Sequence, residues 1–169
     1  SLNNEIIELK KGLKKGILEG KEVAWQENNH HHLTLLFIGE MEPEQIDQLF
    51  RGINEIITSR TPIALEINKI SCFPTPLSQS IVLEVTPSTQ ILKINERLSK
   101  IATVIGFENR IKKYRPHITI GRFKDKNKSV LEFEDLEELP KGYVSNIDVY
   151  ESEFDAGKPV FKLIKTFKN

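Results

Sequence analysis

Two tetrapeptides of one pattern hold the residue types that do chemistry, His32-Leu33-Thr34-Leu35 and His117-Ile118-Thr119-Ile120. Each reads histidine, aliphatic, threonine, aliphatic. Each lies in an apolar run rich in β-formers and runs on to a glycine, Gly39 in one case and Gly121 in the other. In a strand, residues i and i+2 share a face. Each copy would therefore turn an imidazole and a hydroxyl one way and two aliphatics the other. The aliphatics suit a core and the polar pair suits a cleft. Two such strands facing each other would set two imidazoles and two hydroxyls around one small anion, which is equipment for acid–base chemistry on a phosphate ester.

The chemistry has a simple requirement. When water attacks a phosphodiester, the water loses a proton and the departing alkoxide gains one. Imidazole suits both tasks because its unperturbed pKa is about 6.5. One ring would be neutral and act as base, the other protonated and act as acid. Thr34 and Thr119 would hold the non-bridging oxygens, and such positioning is a large part of phosphoryl chemistry. No cofactor is called for.

The elements that must position these residues follow from periodicity. Ile6, Ile7, Leu9, Leu13, Ile17 and Leu18 approximate a helical stripe with lysines on the other face, weakened at its end by Gly16 and Gly20. Residues Val23 to Trp25 form a short extended piece, and Leu33 to Ile38 a strand ending at Gly39. Pro43 opens a second helix, where its missing N–H costs little. The core face of that helix is Ile46, Leu49, Phe50, Ile53, Ile56 and Ile57. Strands follow at Ile63 to Ile67 and Ser80 to Val85, separated by the proline-bearing loop from Phe73 to Ser78. A third helix starts at a Ser88 or Thr89 cap, carries Ile91, Leu92, Ile94, Leu98, Ile101, Ala102 and Ile105, and stops at Gly106. Pro116 biases Arg115 toward extended backbone, which suits the start of the second motif strand. Two last strands are expected over Val144 to Tyr150 and Val160 to Phe167, after an acidic linker from Glu132 to Glu138. The pattern is α+β. One motif per half suggests two related lobes with a cleft between them.

Bulk composition bounds the rest. A chain of 169 residues fits one domain, 1–169, with a sizeable core. With 38% hydrophobic and 28% charged residues it is globular rather than disordered. Lys plus Arg equals Asp plus Glu at 24 each, so net charge gives no argument for nucleic acid. The single cysteine, Cys72, excludes an internal disulfide and fits a reducing compartment. No apolar run approaches the roughly 18–20 residues of a membrane span. The lysines near the N-terminus are not followed by the apolar segment of a signal peptide. The expected location is the cytoplasm, with no membrane association and a monomeric state.

The stretches His31-His32-Leu33-Thr34-Leu35-Leu36-Phe37-Ile38-Gly39-Glu40 and Arg115-Pro116-His117-Ile118-Thr119-Ile120-Gly121-Arg122 resemble the paired signatures of the 2H phosphoesterase superfamily. Its RNA 2′,3′-cyclic phosphodiesterase branch, the 2′-5′ RNA ligase-like proteins, is the most similar. Phe73-Pro74 and the closing stretch from Ser152 to Phe167 with Gly157 fit as well. The resemblance implies a two-lobed α+β fold, with pseudo-symmetric antiparallel sheets forming a central cleft and helices outside. It implies metal-independent opening of a terminal 2′,3′-cyclic phosphate to a 2′-phosphate, the partners being RNA 3′ ends or nucleoside 2′,3′-cyclic phosphates. It implies His32 as the acid that protonates the leaving oxygen and His117 as the base that activates water, roles the residues themselves do not distinguish. Two departures stand out. Members usually begin with an apolar strand like Arg-x-Phe-Ile-Ala-Ile before the first helix, and Asn28-Asn29-His30-His31 replaces a shorter lead-in to the first motif.

Other residues have competing readings. The run from His30 to His32 suggests a metal site, but neighbouring residues on a strand point to opposite faces, which favours a polar loop. Arg122 would neutralise a bound phosphate. Strict alternation turns it away from His117, and a bulge at Gly121 would turn it back. Arg110, Lys112, Lys113, Arg115, Arg122, Lys124, Lys126 and Lys128 bracket the second motif where an RNA end would arrive. Tyr114 and Phe73 are candidates to stack on a base or to pack in the core. Trp25 reads as packing and Cys72 as a small buried apolar group. Two alternatives stay open: hydrolysis of another small cyclic phosphate or a 2′,5′-linked oligonucleotide, and a nucleotide- or RNA-end-binding module without turnover.

Overall fold

The computed structural model describes residues 1–57, 62–107, 113–125, 139–144, 146–155 and 158–168. In order the elements are α1 (Leu2–Lys15), β1 (Val23–Trp25), α2 (Pro43–Ile56), β2 (Ile63–Phe73), β3 (Ser80–Val85), α3 (Thr89–Val104), β4 (His117–Phe123), β5 (Lys141–Val144), β6 (Asn146–Asp155) and β7 (Lys158–Lys168). They build a five-stranded antiparallel sheet, ordered β1-β4-β3-β2-β5, and a separate β6-β7 pair. No helix among the described residues is long and apolar enough to cross a membrane. The linker from Glu132 to Glu138, Arg110, Lys112, Lys126, Lys128 and Gly157 lie outside the described residues.

Two apolar clusters match the two sheets. One joins Leu2, Ile6, Leu13 and Leu18 to Leu65, Ile67 and Ile70 of β2, and to buried residues of β3 and β4. The other joins Leu49, Ile53 and Ile56 of α2 and Leu98 of α3 to Ile147 and Phe167 of the β6-β7 pair. Ile94 of α3 packs against both clusters.

Local signals explain the helices. The Ser88 hydroxyl accepts the Ile91 N–H at 3.2 Å and caps α3. Pro43 stands in the first turn of α2, and the Gln45 side-chain oxygen accepts the Glu42 N–H at 2.9 Å. Gly52 lets α2 approach α3, since a Cβ there would lie 2.6 Å from Ile101 Cδ1. Gly106 ends α3 with a positive φ of 100°.

Three expectations need correction. The lysines of α1 are not all on its outer face: Lys10 is buried in the apolar stripe between Ile6 and Leu13. The first motif is not a strand to Ile38, because it pairs only through one isolated bridge, Leu33 to Ile118. Its aliphatics divide between the lobes instead, Leu33 packing in the first cluster and Leu35, Leu36 and Ile38 in the second. The expected strand over Val144 to Tyr150 is two strands in different sheets, β5 beside β2 and β6 beside β7. A chain that changes sheets between Val144 and Asn146 keeps one continuous apolar pattern, so periodicity alone does not reveal the break.

Candidate active site

The two motifs meet edge to edge at the Leu33–Ile118 bridge. In an antiparallel register this sets His32 across from Thr119 and Thr34 across from His117. Leu33 and Ile118 turn into the core, which leaves both histidines and both threonines on the opposite face. The four side chains form a square with the histidines on one diagonal. Diagonal positions of such a pair are roughly 7–8 Å apart.

Both imidazoles are seated the same way. His32 Nδ1 lies 2.9 Å from the His30 carbonyl oxygen, and His117 Nδ1 lies 2.7 Å from the Arg115 carbonyl oxygen. A carbonyl only accepts, so each Nδ1 donates. Each Nε2 then carries a lone pair when the ring is neutral and a proton when it is charged.

The walls differ. His117 stacks on Phe73 with ring centroids 3.9 Å apart. The Arg115 guanidinium lies over the Phe73 ring at 4.7 Å and donates to the Pro74 carbonyl at 2.9 Å. Glu84 of β3 is the direct cross-strand partner of His117. Its carboxylate accepts from the Ser71 hydroxyl at 2.5 Å and lies 3.8 Å from Arg115. His32 instead meets Phe161 of β7 edge-on, centroids 6.0 Å apart. The site therefore lies where the two sheets approach each other. Tyr114 donates from its hydroxyl to the Thr34 carbonyl at 2.9 Å. Burial raises its pKa, so the hydroxyl keeps its proton.

Arg122 shares the histidine face because of a bulge. β3 residues Ile81 and Val82 oppose Gly121 and Thr119, leaving Ile120 as the extra residue. Ile118, Ile120 and Phe123 are buried while Arg122 is exposed, its guanidinium 3.3 Å from the Ser80 hydroxyl. Gly121 makes room, since a Cβ there would lie 2.9 Å from Val23 Cγ1 and 3.3 Å from the Ala24 carbonyl.

Ahead of the first motif, Lys10 Nζ donates to the Gln26 carbonyl at 2.5 Å, Asn28 Oδ1 at 3.0 Å and His31 Nε2 at 3.1 Å. His31 Nδ1 donates to Asn3 Oδ1 at 2.7 Å. Both nitrogens of His31 are thus engaged. Burial first, then the charges of Lys10 and His32, pull its pKa down to about 4. Burial, with Lys14 adding to it, also lowers the Lys10 pKa.

Residues 1–83 match the protein family described as LigT like Phosphoesterase. The chain is 26% identical over 156 residues to an RNA 2′,3′-cyclic phosphodiesterase of Thermotoga maritima, covering 90% of this chain and 82% of that one. It is 23% identical over 150 residues to the RNA 2′,3′-cyclic phosphodiesterase of Methanocaldococcus jannaschii, covering 86% and 84%. These matches make the chain similar to the LigT-like phosphoesterases. Its fold is that of TT0787 of Thermus thermophilus, with a TM-score of 0.72 at 18% identity over 98% of this chain and 90% of the other. It is also that of E. coli LigT complexed with 3′-AMP, with a TM-score of 0.69 at 18% identity over 99% and 90%.

His32, Thr34, His117, Thr119 and Arg122 share one face at one seam. Of the two aromatic candidates, Phe73 lines the site and Tyr114 packs behind it. Trp25 packs against the first cluster and Cys72 is buried there. Among the described residues no three His, Cys, Asp or Glu side chains are placed to hold a metal. Sequence reasoning missed Glu84, Phe161 and Lys10. Glu84 had a signal, a lone charge within an apolar strand pattern, whereas Lys10 is one of several lysines on α1. Phe161 had none, because nothing in the sequence says which side chain of β7 reaches across to His32.

Proposed function

We propose that this chain hydrolyses 2′,3′-cyclic phosphates, at RNA ends or on free nucleosides, to 2′-phosphates without a metal ion. The observation that carries the reading is the pairing of two imidazoles across one bridge, each with Nδ1 held by backbone and Nε2 left for substrate. The names of the relatives supply the substrate class.

The geometry supplies one acid and one base, and the resemblance assigns their roles. Water attacks phosphorus and gives its proton to neutral His117 Nε2. The bond from phosphorus to the 3′ oxygen breaks, and His32 Nε2–H protonates that oxygen. The product carries a 3′ hydroxyl and a 2′-phosphate. Thr34 and Thr119 donate to the non-bridging oxygens, and Arg122 offsets the charge that gathers there. The acid and base each contribute about 10²–10⁴-fold.

The test is hydrolysis of the four nucleoside 2′,3′-cyclic monophosphates and a short RNA with a cyclic end, in EDTA. Wild type, His32→Ala and His117→Ala are compared and the product isomer identified. Turnover to a 2′-phosphate that either substitution abolishes is the expected result. Loss of activity in EDTA with rescue by a divalent ion would overturn the metal-free mechanism. Turnover only of another cyclic phosphate or a 2′,5′-linked oligonucleotide would move the substrate. Nucleotide binding without turnover by folded protein would make the chain a binding module.

A further inference from the structure

We propose that Lys10 is a positioning residue for His32, acting through the loop that leads into the first motif. The inference rests on the reading of His32 as a catalytic acid. Lys10 is 4% exposed, in the apolar stripe of α1. The three acceptors of its ammonium group, the Gln26 carbonyl, Asn28 Oδ1 and His31 Nε2, all belong to residues 26–31. The His30 N–H closes a turn onto the Glu27 carbonyl within that loop. The His30 carbonyl in turn accepts from His32 Nδ1. The buried ammonium thus reaches the imidazole through its hydrogen bonds to residues 26–31, the backbone between them, and the His30 carbonyl, with Asn3 holding His31 from its other side.

Replacing the lysine alone leaves three acceptors in residues 26–31 without their donor, so the loss falls on the loop that leads into the first motif. What the ammonium supplies, and a methionine would not, is a fixed direction for three acceptors in a loop that lacks regular structure. The lowered pKa of His31 agrees, because only neutral Nε2 accepts from Lys10.

The experiment is Lys10→Met, read by steady-state kinetics on nucleoside 2′,3′-cyclic monophosphates and by ¹⁵N NMR of the imidazoles. Expected is a kcat lowered about 10–100-fold with KM changed less than about threefold. His32 should lose its uniform Nδ1–H signature while His117 keeps its own. A folded Lys10→Met protein with kcat and the His32 tautomer both unchanged would overturn the proposal. Should Lys10→Met not fold, exposed Asn3→Ala removes only the outer hydrogen bond. It should shift the His32 tautomer the same way and lower kcat by about threefold; an unchanged His32 signal there would equally sink the idea. The NMR readout does not depend on turnover. A wild type inactive on cyclic phosphates would refute the proposed function, while the His32 signal still judges the Lys10 contact.

Discussion

His117 opens β4 and pairs with Glu84 of β3, in a strand that β1 also joins from Gly121 to Phe123, whereas His32 stands in a stretch that touches β4 at one bridge. The same tetrapeptide is thus supported in two ways. Around His117 the sheet ladder, the Phe73 ring and the Arg115 side chain hold the backbone. Around His32 the support comes from side chains sent from elsewhere: Lys10 from α1, Tyr114 from ahead of β4, and Asn95 of α3, which donates to the Leu35 carbonyl at 2.7 Å. The difference teaches that regular strand structure is not what the motif needs. It needs an Nδ1 acceptor two residues back and a register across the bridge.

The largest test of that equivalence is removal of each ring. Under the proposed function His32→Ala and His117→Ala should each lower kcat about 10²–10⁴-fold. Their kcat/KM profiles against pH should differ: wild type is bell-shaped, His117→Ala loses the acid limb and His32→Ala the alkaline limb. Loss of the same limb in both variants would break the division of roles.

Next in size is Gly121→Ala, which strikes the regular side only. The added Cβ meets Val23 and the Ala24 carbonyl, so stability should fall by about 1–3 kcal/mol. Thermal unfolding checks this. An unchanged Tm would mean the bulge absorbs a side chain, and that Arg122 owes its face to something other than the glycine.

Tyr114→Phe strikes the irregular side. It removes the donor to the Thr34 carbonyl and should cost about 0.5–1.5 kcal/mol by denaturant unfolding. It should also disturb the His32 NMR signal more than that of His117.

The last effect is one of pH. His31 is held near 4 in the folded protein against an ordinary 6.5. The unfolded chain therefore takes up a proton that the folded protein refuses, and stability falls as pH drops from about 6.5 toward 4. In His31→Gln that contribution should vanish, giving a flatter stability–pH curve over this window.

Much of this arrangement is legible in the residues. Ser88, Pro43 and Gly106 mark helix ends because capping chemistry is local. The phase of Arg122 hangs on Gly121, and the glycine itself signals that a bulge is available. Lys10 escapes a sequence reading because lysines on a helix are normally solvated, and its partners in residues 26–31 become neighbours only once the chain has turned back. The strand expected over Leu33 to Ile38 fails for a related reason: β-formers give strands only where a partner edge exists, and past Leu33 the chain leaves the sheet for the second core.

The Leu33–Ile118 bridge has one more consequence. An antiparallel pair has a local two-fold axis, and here that axis exchanges histidine for histidine and threonine for threonine. A cyclic phosphate turned half a revolution about it would meet the same four groups with acid and base interchanged. Under the proposed function, the square of two histidines and two threonines is blind to which ester oxygen departs. Regiochemistry must then be written in the unlike walls, the Phe73–Arg115 side against the Phe161 side, where the molecule is handed and the square is not.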